Sequence, residues 1–140
     1  MLFRSNLIFC ASSQYLKNAP PLERISDLHQ HKLLLLDIHK SCSFVSSDVK
    51  LQDFFDCRKI VCNNGWFLTE LALQHHGVLV RSVWDVQEHL RKGRLVQVLK
   101  KMPLKSFGNI YAVIPSRRYL APRVRVFLDF LLEKAKKLNL

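Results

Sequence analysis

Cys62-Asn63-Asn64-Gly65-Trp66, running through Leu71-Ala72-Leu73 to Gly77-Val78-Leu79-Val80, decides how this chain folds. It reads as the end of a buried strand, a polar turn, a helix of about three turns, a glycine stop and another apolar strand. An Asn-Asn-Gly turn before a helix leaves unpaired backbone N–H groups facing outward, beside side-chain amides that both donate and accept. In an open α/β sheet such a strand-to-helix corner is where small ligands bind.

The flanking sequence extends this pattern. Upstream, Leu7–Ala11 is an apolar run predicted as a buried strand, with Ser12 and Ser13 suited to cap a short helix before Ala19-Pro20-Pro21 breaks it. Ser26-Asp27 opens a helical turn carrying Leu28, and Lys32–Leu36 is a further strand. Phe44-Val45 and Val49-Lys50-Leu51 read as short strands around a Ser-Ser-Asp turn, in the least legible stretch, 37–56. Lys59–Cys62 leads into the corner, Gly65–His76 is predicted as helix, and Gly77 as its C-cap.

Downstream follow a strand at Val78–Val80, a helix at Trp84–Lys92 stopped by Gly93, and a strand at Leu95–Leu99. Met102–Asn109 is a crossing, the one internal boundary, and Ile110–Ile114 a β-prone strand. Pro122 opens a last helix with one apolar stripe: Val124, Phe127, Leu128, Leu131, Leu132 and Ala135. Strands alternating with helices imply an α/β fold.

Composition bounds the rest. With 140 residues and 49% hydrophobic content, the chain can bury one core. Leu33–Leu36 is far too short to span a membrane, and no secretory signal opens the chain, so no membrane is expected. Cys10, Cys42, Cys57 and Cys62 lack CxxC spacing and read as reduced thiols of a cytoplasmic protein. The net charge of +11 invites nucleic acid, but the Lys and Arg residues are scattered, which favours a solvated basic surface. No catalytic signature is visible, so no enzyme is expected. His29-x-His31 and His75-His76 lack metal-ligand spacing, so neither a metal nor a cofactor is expected.

Taken in order, these pieces resemble the effector-binding region of LysR-type transcriptional regulators. Leu7–Ala11 with Ser12, Ser13, Tyr15 and Leu16 resembles the family's ASPAYL stretch, and Pro21 with Ser26-Asp27-Leu28 and His31 its P…DLxxH segment. Asn63-Asn64-Gly65, Leu71-Ala72-Leu73 and Gly77-Val78-Leu79 are similar to NNG…LALxGxGIAL. Arg81–Val86 resembles KSxWDV, and Gly93–Leu99 resembles GRLVxVL. Ile110–Pro115, Ser116-Arg117-Arg118 and Pro122–Leu131 look like IYAVYPSRR…PRVRAFIDFL. Ser13 stands where the family usually has proline, and Gln74-His75-His76 replaces a small helix end.

The resemblance implies a periplasmic-binding-protein-like (type II) α/β fold, with residues 1–101 as the second lobe and 102–140 as the crossing, strand and helix of an incomplete first lobe. It implies an effector-sensing part of a bacterial regulator, acting on DNA through a helix-turn-helix domain that does not precede Met1; the chain reads as truncated at its N-terminus. The alternative is an inactive fragment serving only as an interaction or oligomerisation module, and a homo-oligomer is expected.

As the resemblance implies, Asn63, Asn64 and Gly65 would hold a small-molecule effector, a carboxylate or aromatic acid; the alternative is a turn that only caps the helix. Ser12 and Ser82 follow strands and are expected on the same edge as Asn63, facing the cleft or capping helices. Arg81 reads either as charge for an anionic effector or as solvated surface. Trp66 and Trp84 read as core, or, for Trp84 among the effector-binding residues, as a platform at the cleft rim.

Overall fold

The computed structural model describes residues 3–53, 58–105, 108–114 and 120–137. Cys57, Ser106-Phe107 of the crossing and Ser116-Arg117-Arg118 lie outside the described residues. The chain divides into two compact units: Asn6–Phe107, and Met1–Ser5 together with Gly108–Leu140.

The larger unit is built on a five-stranded sheet. Its strands are β2 (Leu7–Ala11), β3 (Lys32–Leu36), β4 (Arg58–Cys62), β5 (Val78–Ser82) and β6 (Val96–Val98), in the order β4-β3-β5-β2-β6. β3 runs parallel to β4 and β5, while β2 is antiparallel to both β5 and β6. Successive side chains of a strand point to opposite faces. Leu7, Phe9, Ala11, Leu33, Leu35, Val78 and Val80 therefore form one core. Ile8, Cys10, Leu34 and Leu79 enter a second, with Leu68, Ala72 and Val86 from helices α2 (Gly65–Leu73) and α3 (Val83–Arg91). Burial on both faces explains the unbroken apolar runs of β2, β3 and β5.

The first face is covered mostly by short segments. These include helix α1 (Ser13–Asn18), 3-10 turns at Ile25–Gln30 and Leu51–Asp53, and the loop that delivers Phe44. Phe44 lies flat over Phe9, with ring centroids 5.8 Å apart and planes 9° from parallel. The short strands expected at Phe44-Val45 and Val49-Lys50-Leu51 are reduced to one antiparallel bridge, Ser43 to Lys50; Phe44 instead bridges to Leu104, and Leu51 starts a 3-10 turn. Burying Phe44, Leu51 and Leu104 against β2 outweighs local strand propensity here.

Two glycine and helix expectations are corrected. α2 ends at Leu73 with Gln74 as its cap, and His75 takes the left-handed conformation (φ 66°) that was expected of Gly77. Gly77 is needed for a different reason: a Cβ there would press into the Lys32 carbonyl oxygen of β3.

In the smaller unit, β1 (Phe3–Ser5) pairs antiparallel with β7 (Gly108–Ile110). The strand expected at Ile110–Ile114 therefore keeps only its first residue, and Val113 is exposed. Helix α4 (Pro122–Lys137) forms as expected, but Phe127 (58%) and Phe130 (50%) stand in solvent and Ala135 is its one buried residue.

Candidate functional site

Because β3, β4 and β5 are parallel, their carboxyl ends share one edge of the sheet. After β3 the chain turns through Asp37–His39; after β4 it passes Asn63-Asn64 into α2; after β5, Ser82 leads into α3. This edge therefore gathers the first turns of α2 and α3, whose unsatisfied N–H groups favour negative charge.

Asn64 is the N-cap of α2: its side-chain oxygen accepts from the Phe67 N–H at 3.1 Å. Its carbonyl accepts from Leu68 N–H and from the Cys62 thiol, each at 3.3 Å, so Asn64 is committed to the turn. Asn63 is exposed, with no hydrogen bond to the described residues. Ser82 is buried at the start of α3 and its hydroxyl does not cap that helix. Trp66 (71% exposed) and Trp84 (44%) stand in the first turns of α2 and α3, so neither is the core residue expected of a tryptophan.

Arg81 ties the edge together. Its side chain is 13% exposed and pairs with Asp85 (18%) of α3 at 2.6 Å. The guanidinium lies against the first residue of α2: a Cβ on Gly65 would fall 2.8 Å from Nη2 and closer still to Nη1. A side chain at position 65 would displace the guanidinium, and Arg81 is no solvated surface charge. Its Nε is buried with no hydrogen-bond partner among the described residues. Burial pushes the Asp85 carboxyl up, against the opposing pull of Arg81. Sequence reasoning leaves Arg81 undecided because its ion-pair partner four residues on and its glycine neighbour sixteen residues back become informative only together.

His39 is buried beside this group. Burial, and then the Arg81 charge, hold its imidazole below the ordinary 6.5, while a hydrogen bond with the Val80 backbone pulls the other way. A histidine with a depressed folded value stabilises the fold fully above 6.5, and that contribution is lost as pH falls from 6.5 through the folded value. Urea melts between pH 7.5 and 5 should show stability falling on the acid side, and His39→Asn should flatten that slope.

Ser12 does not join the others. β2 is antiparallel to β5, with Leu7 opposite Ser82 and Cys10 opposite Leu79, so Ser12 emerges at the far end of the sheet. There its hydroxyl accepts from the Tyr15 N–H at 3.2 Å and lies 2.7 Å from His75 Nδ1, beyond the C-terminal end of α2. Asn64 begins that helix. The shared edge expected for both serines fails because alternating strands and helices suggest an all-parallel sheet, and nothing local marks β2 as reversed. Among the described residues no group of three or more His, Cys, Asp or Glu is arranged to hold a metal ion.

Residues 1–136 match the family model described as the LysR substrate binding domain. The chain belongs to this family. It is similar to the HTH-type transcriptional activator TtdR of Escherichia coli K12, 28% identical over 134 residues, 94% of this chain and 43% of TtdR. It thus spans under half the length of that curated relative. Among solved structures, the regulatory domain of AphB from Vibrio vulnificus aligns with a TM-score of 0.73 at 19% identity, over 94% of this chain and 66% of that one. The effector domain of AmpR from Pseudomonas aeruginosa aligns at 0.72 and 20%, over 96% and 63%. The LysR substrate-binding domain has a periplasmic-binding-protein-like α/β fold, as the ordered motifs implied. No helix among its described residues is long and apolar enough to cross a membrane.

Proposed function

We propose that this LysR substrate-binding domain senses a small anionic effector at the carboxyl edge of β3, β4 and β5, as the cytoplasmic sensor of a transcriptional regulator. Asn63 offers a solvent-facing amide, Asn64 and Gly65 shape the start of α2, Ser82 lies at the end of β5, and Trp84 flanks the rim. Arg81 supplies the charge. The observation that carries this reading is the Arg81 guanidinium held against Gly65 where α2 begins, a cation set in a largely water-excluded corner. Ser12 acts in this reading as a helix cap.

By the family mapping residues up to about 101 would form the second lobe, and 102–140 the crossing, strand and helix of the first. Met102 and Leu104 of the crossing still pack in the larger unit's core, and Phe3–Ser5 is paired in the smaller unit. Effector binding shifts the arrangement of lobes and reaches DNA through a helix-turn-helix part outside these residues. The protein works as a regulator and not as an enzyme. The exposed Phe127 and Phe130 of α4 support a further surface packing on it, from the remainder of the lobe or from a second copy in a homo-oligomer.

A thermal-shift series with small dicarboxylates and aromatic acids tests the reading. At least one should raise Tm by several degrees at saturation, because a ligand that binds only the folded state stabilises it by mass action. Asn63→Ala and Ser82→Ala should weaken that shift and, in the intact regulator, weaken induction. No shift with any acid, together with unchanged induction in both variants, would remove the site.

A further inference from the structure

A cavity of about 570 Å³ lies at the opposite end of the sheet from Asn63 and Arg81. The amino ends of β3 and β4 bring Lys32 and Arg58 to its wall, and the segment after α2 brings His75 and His76. His29 and His31 complete the basic lining, while Tyr15, Ala19 and Pro20 form a less polar side. Among the described residues no carboxylate lines the cavity. Asp27, whose charge is felt at His31, has its oxygen committed to the Glu23 and Arg24 backbone amides at 2.9 and 2.8 Å.

The cluster is built, not incidental. The Tyr15 hydroxyl lies 2.9 Å from His31 Nδ1, and the Tyr15 backbone N–H donates to Ser12 Oγ, which in turn lies 2.7 Å from His75 Nδ1. One short helix thus anchors two imidazoles contributed by distant parts of the chain. His75 is delivered there by the left-handed turn (φ 66°) that closes α2, with the His76 N–H donating to the Leu71 carbonyl at 3.0 Å. Two cationic side chains, Lys32 and Arg58, beside four imidazoles around one opening offer an anion charge-assisted and ring N–H hydrogen bonds together.

We propose that this cavity binds the phosphoryl group of a small phosphorylated metabolite, the phosphate between Arg58, Lys32 and the histidines and the organic part along Tyr15, Ala19 and Pro20. The volume is several times that of a phosphate and falls in the range of small-molecule sites. Two lysine- and arginine-borne charges beside the histidines disfavour a cation there. This site is independent of the effector edge.

Inorganic phosphate is the minimal probe, titrated calorimetrically into the full chain at constant ionic strength. Saturable one-to-one binding is expected, weakened about 10-fold by Arg58→Gln and similarly by His76→Gln, both exposed. Asn63→Ala should leave phosphate binding intact, so this site can stand or fall apart from the effector edge. Unsaturable binding, or binding indifferent to both variants, would reduce the cavity to a generic basic surface and overturn the proposal. A duplex oligonucleotide that displaces phosphate from the wild type but binds neither variant would also overturn it, in favour of nucleic-acid contact.

Discussion

Arg81→Met is expected to lower affinity for an anionic effector about 30- to 150-fold, because a charge-assisted contact in a desolvated corner contributes roughly 2–3 kcal/mol. The same change leaves Asp85 largely buried without its cation. Breaking a buried pair from one side costs about 3–5 kcal/mol, and partial exposure of both side chains brings the expectation here to about 2–3 kcal/mol. The two losses are separable. In Arg81→Met/Asp85→Leu the stranded carboxylate is gone, so urea stability should largely return while effector affinity stays lost.

The pH dependence of the single variant has a definite sign. Burial already pushes the Asp85 carboxyl above 3.8, and without Arg81 it moves further up. A carboxyl raised in the folded state stabilises the fold when protonated, and that contribution is lost as pH rises through the folded value. The deficit of Arg81→Met should therefore be full at pH 7.5 and shrink as pH falls toward 4. Unchanged affinity in Arg81→Met would remove Arg81 from the site.

Gly77→Ala is the second large effect. Gly77 precedes β5 at the point where that strand meets β3, one residue before the Leu33–Val78 pair. A methyl group there would overlap the Lys32 carbonyl oxygen and approach the Lys32 C and Cβ at 3.2 Å. Backbone cannot swing aside as a flexible side chain does, so the two central strands must part. Overpacking of this kind costs about 1–3 kcal/mol. With several degrees of Tm lost per kcal/mol in a domain of this size, a loss of roughly 5–15 °C is expected by calorimetry. A helix-capping glycine would behave differently, losing about 1 kcal/mol or less. Gly93, with φ at 68° and nothing within 4 Å of where a Cβ would sit, is the internal comparison: Gly93→Ala should cost clearly less than Gly77→Ala.

What is legible in the sequence follows from where the physics is local. β2, β3, β4 and the starts of α1 and α2 can be read because apolar runs and capping residues sit side by side; Ser12 and Asn64 cap the helices expected of them. The strand after α2 is recognisable but runs on to Ser82, since Arg81 is polar only at its tip and its side chain is largely buried. The stretch 37–53 is opaque because Phe44 and Leu51 are placed by a distant partner, Phe9 and the β2 face, and no periodicity records that.

The candidate site divides the same way. Asn63, Asn64 and Gly65 are visible as a turn before a helix. Ser12 falls on the wrong edge in a sequence reading because strand direction is a tertiary property, fixed here by the ladder between β2 and β5. Trp66 and Trp84 defeat composition-based expectation, since each takes an exposed position in the first turn of its helix. Arg81 needs three facts at once: the end of β5, the carboxylate at Asp85 and the bare backbone of Gly65.

The most direct measurement is backbone-amide chemical-shift mapping of the chain titrated with whichever carboxylate gives the largest thermal shift. The largest perturbations should fall at Asn63–Trp66 and Arg81–Asp85, and Arg81→Met should erase them. Perturbations centred instead on Tyr15, His31 and His75, or spread evenly over the basic surface, would contradict an effector edge built on Arg81.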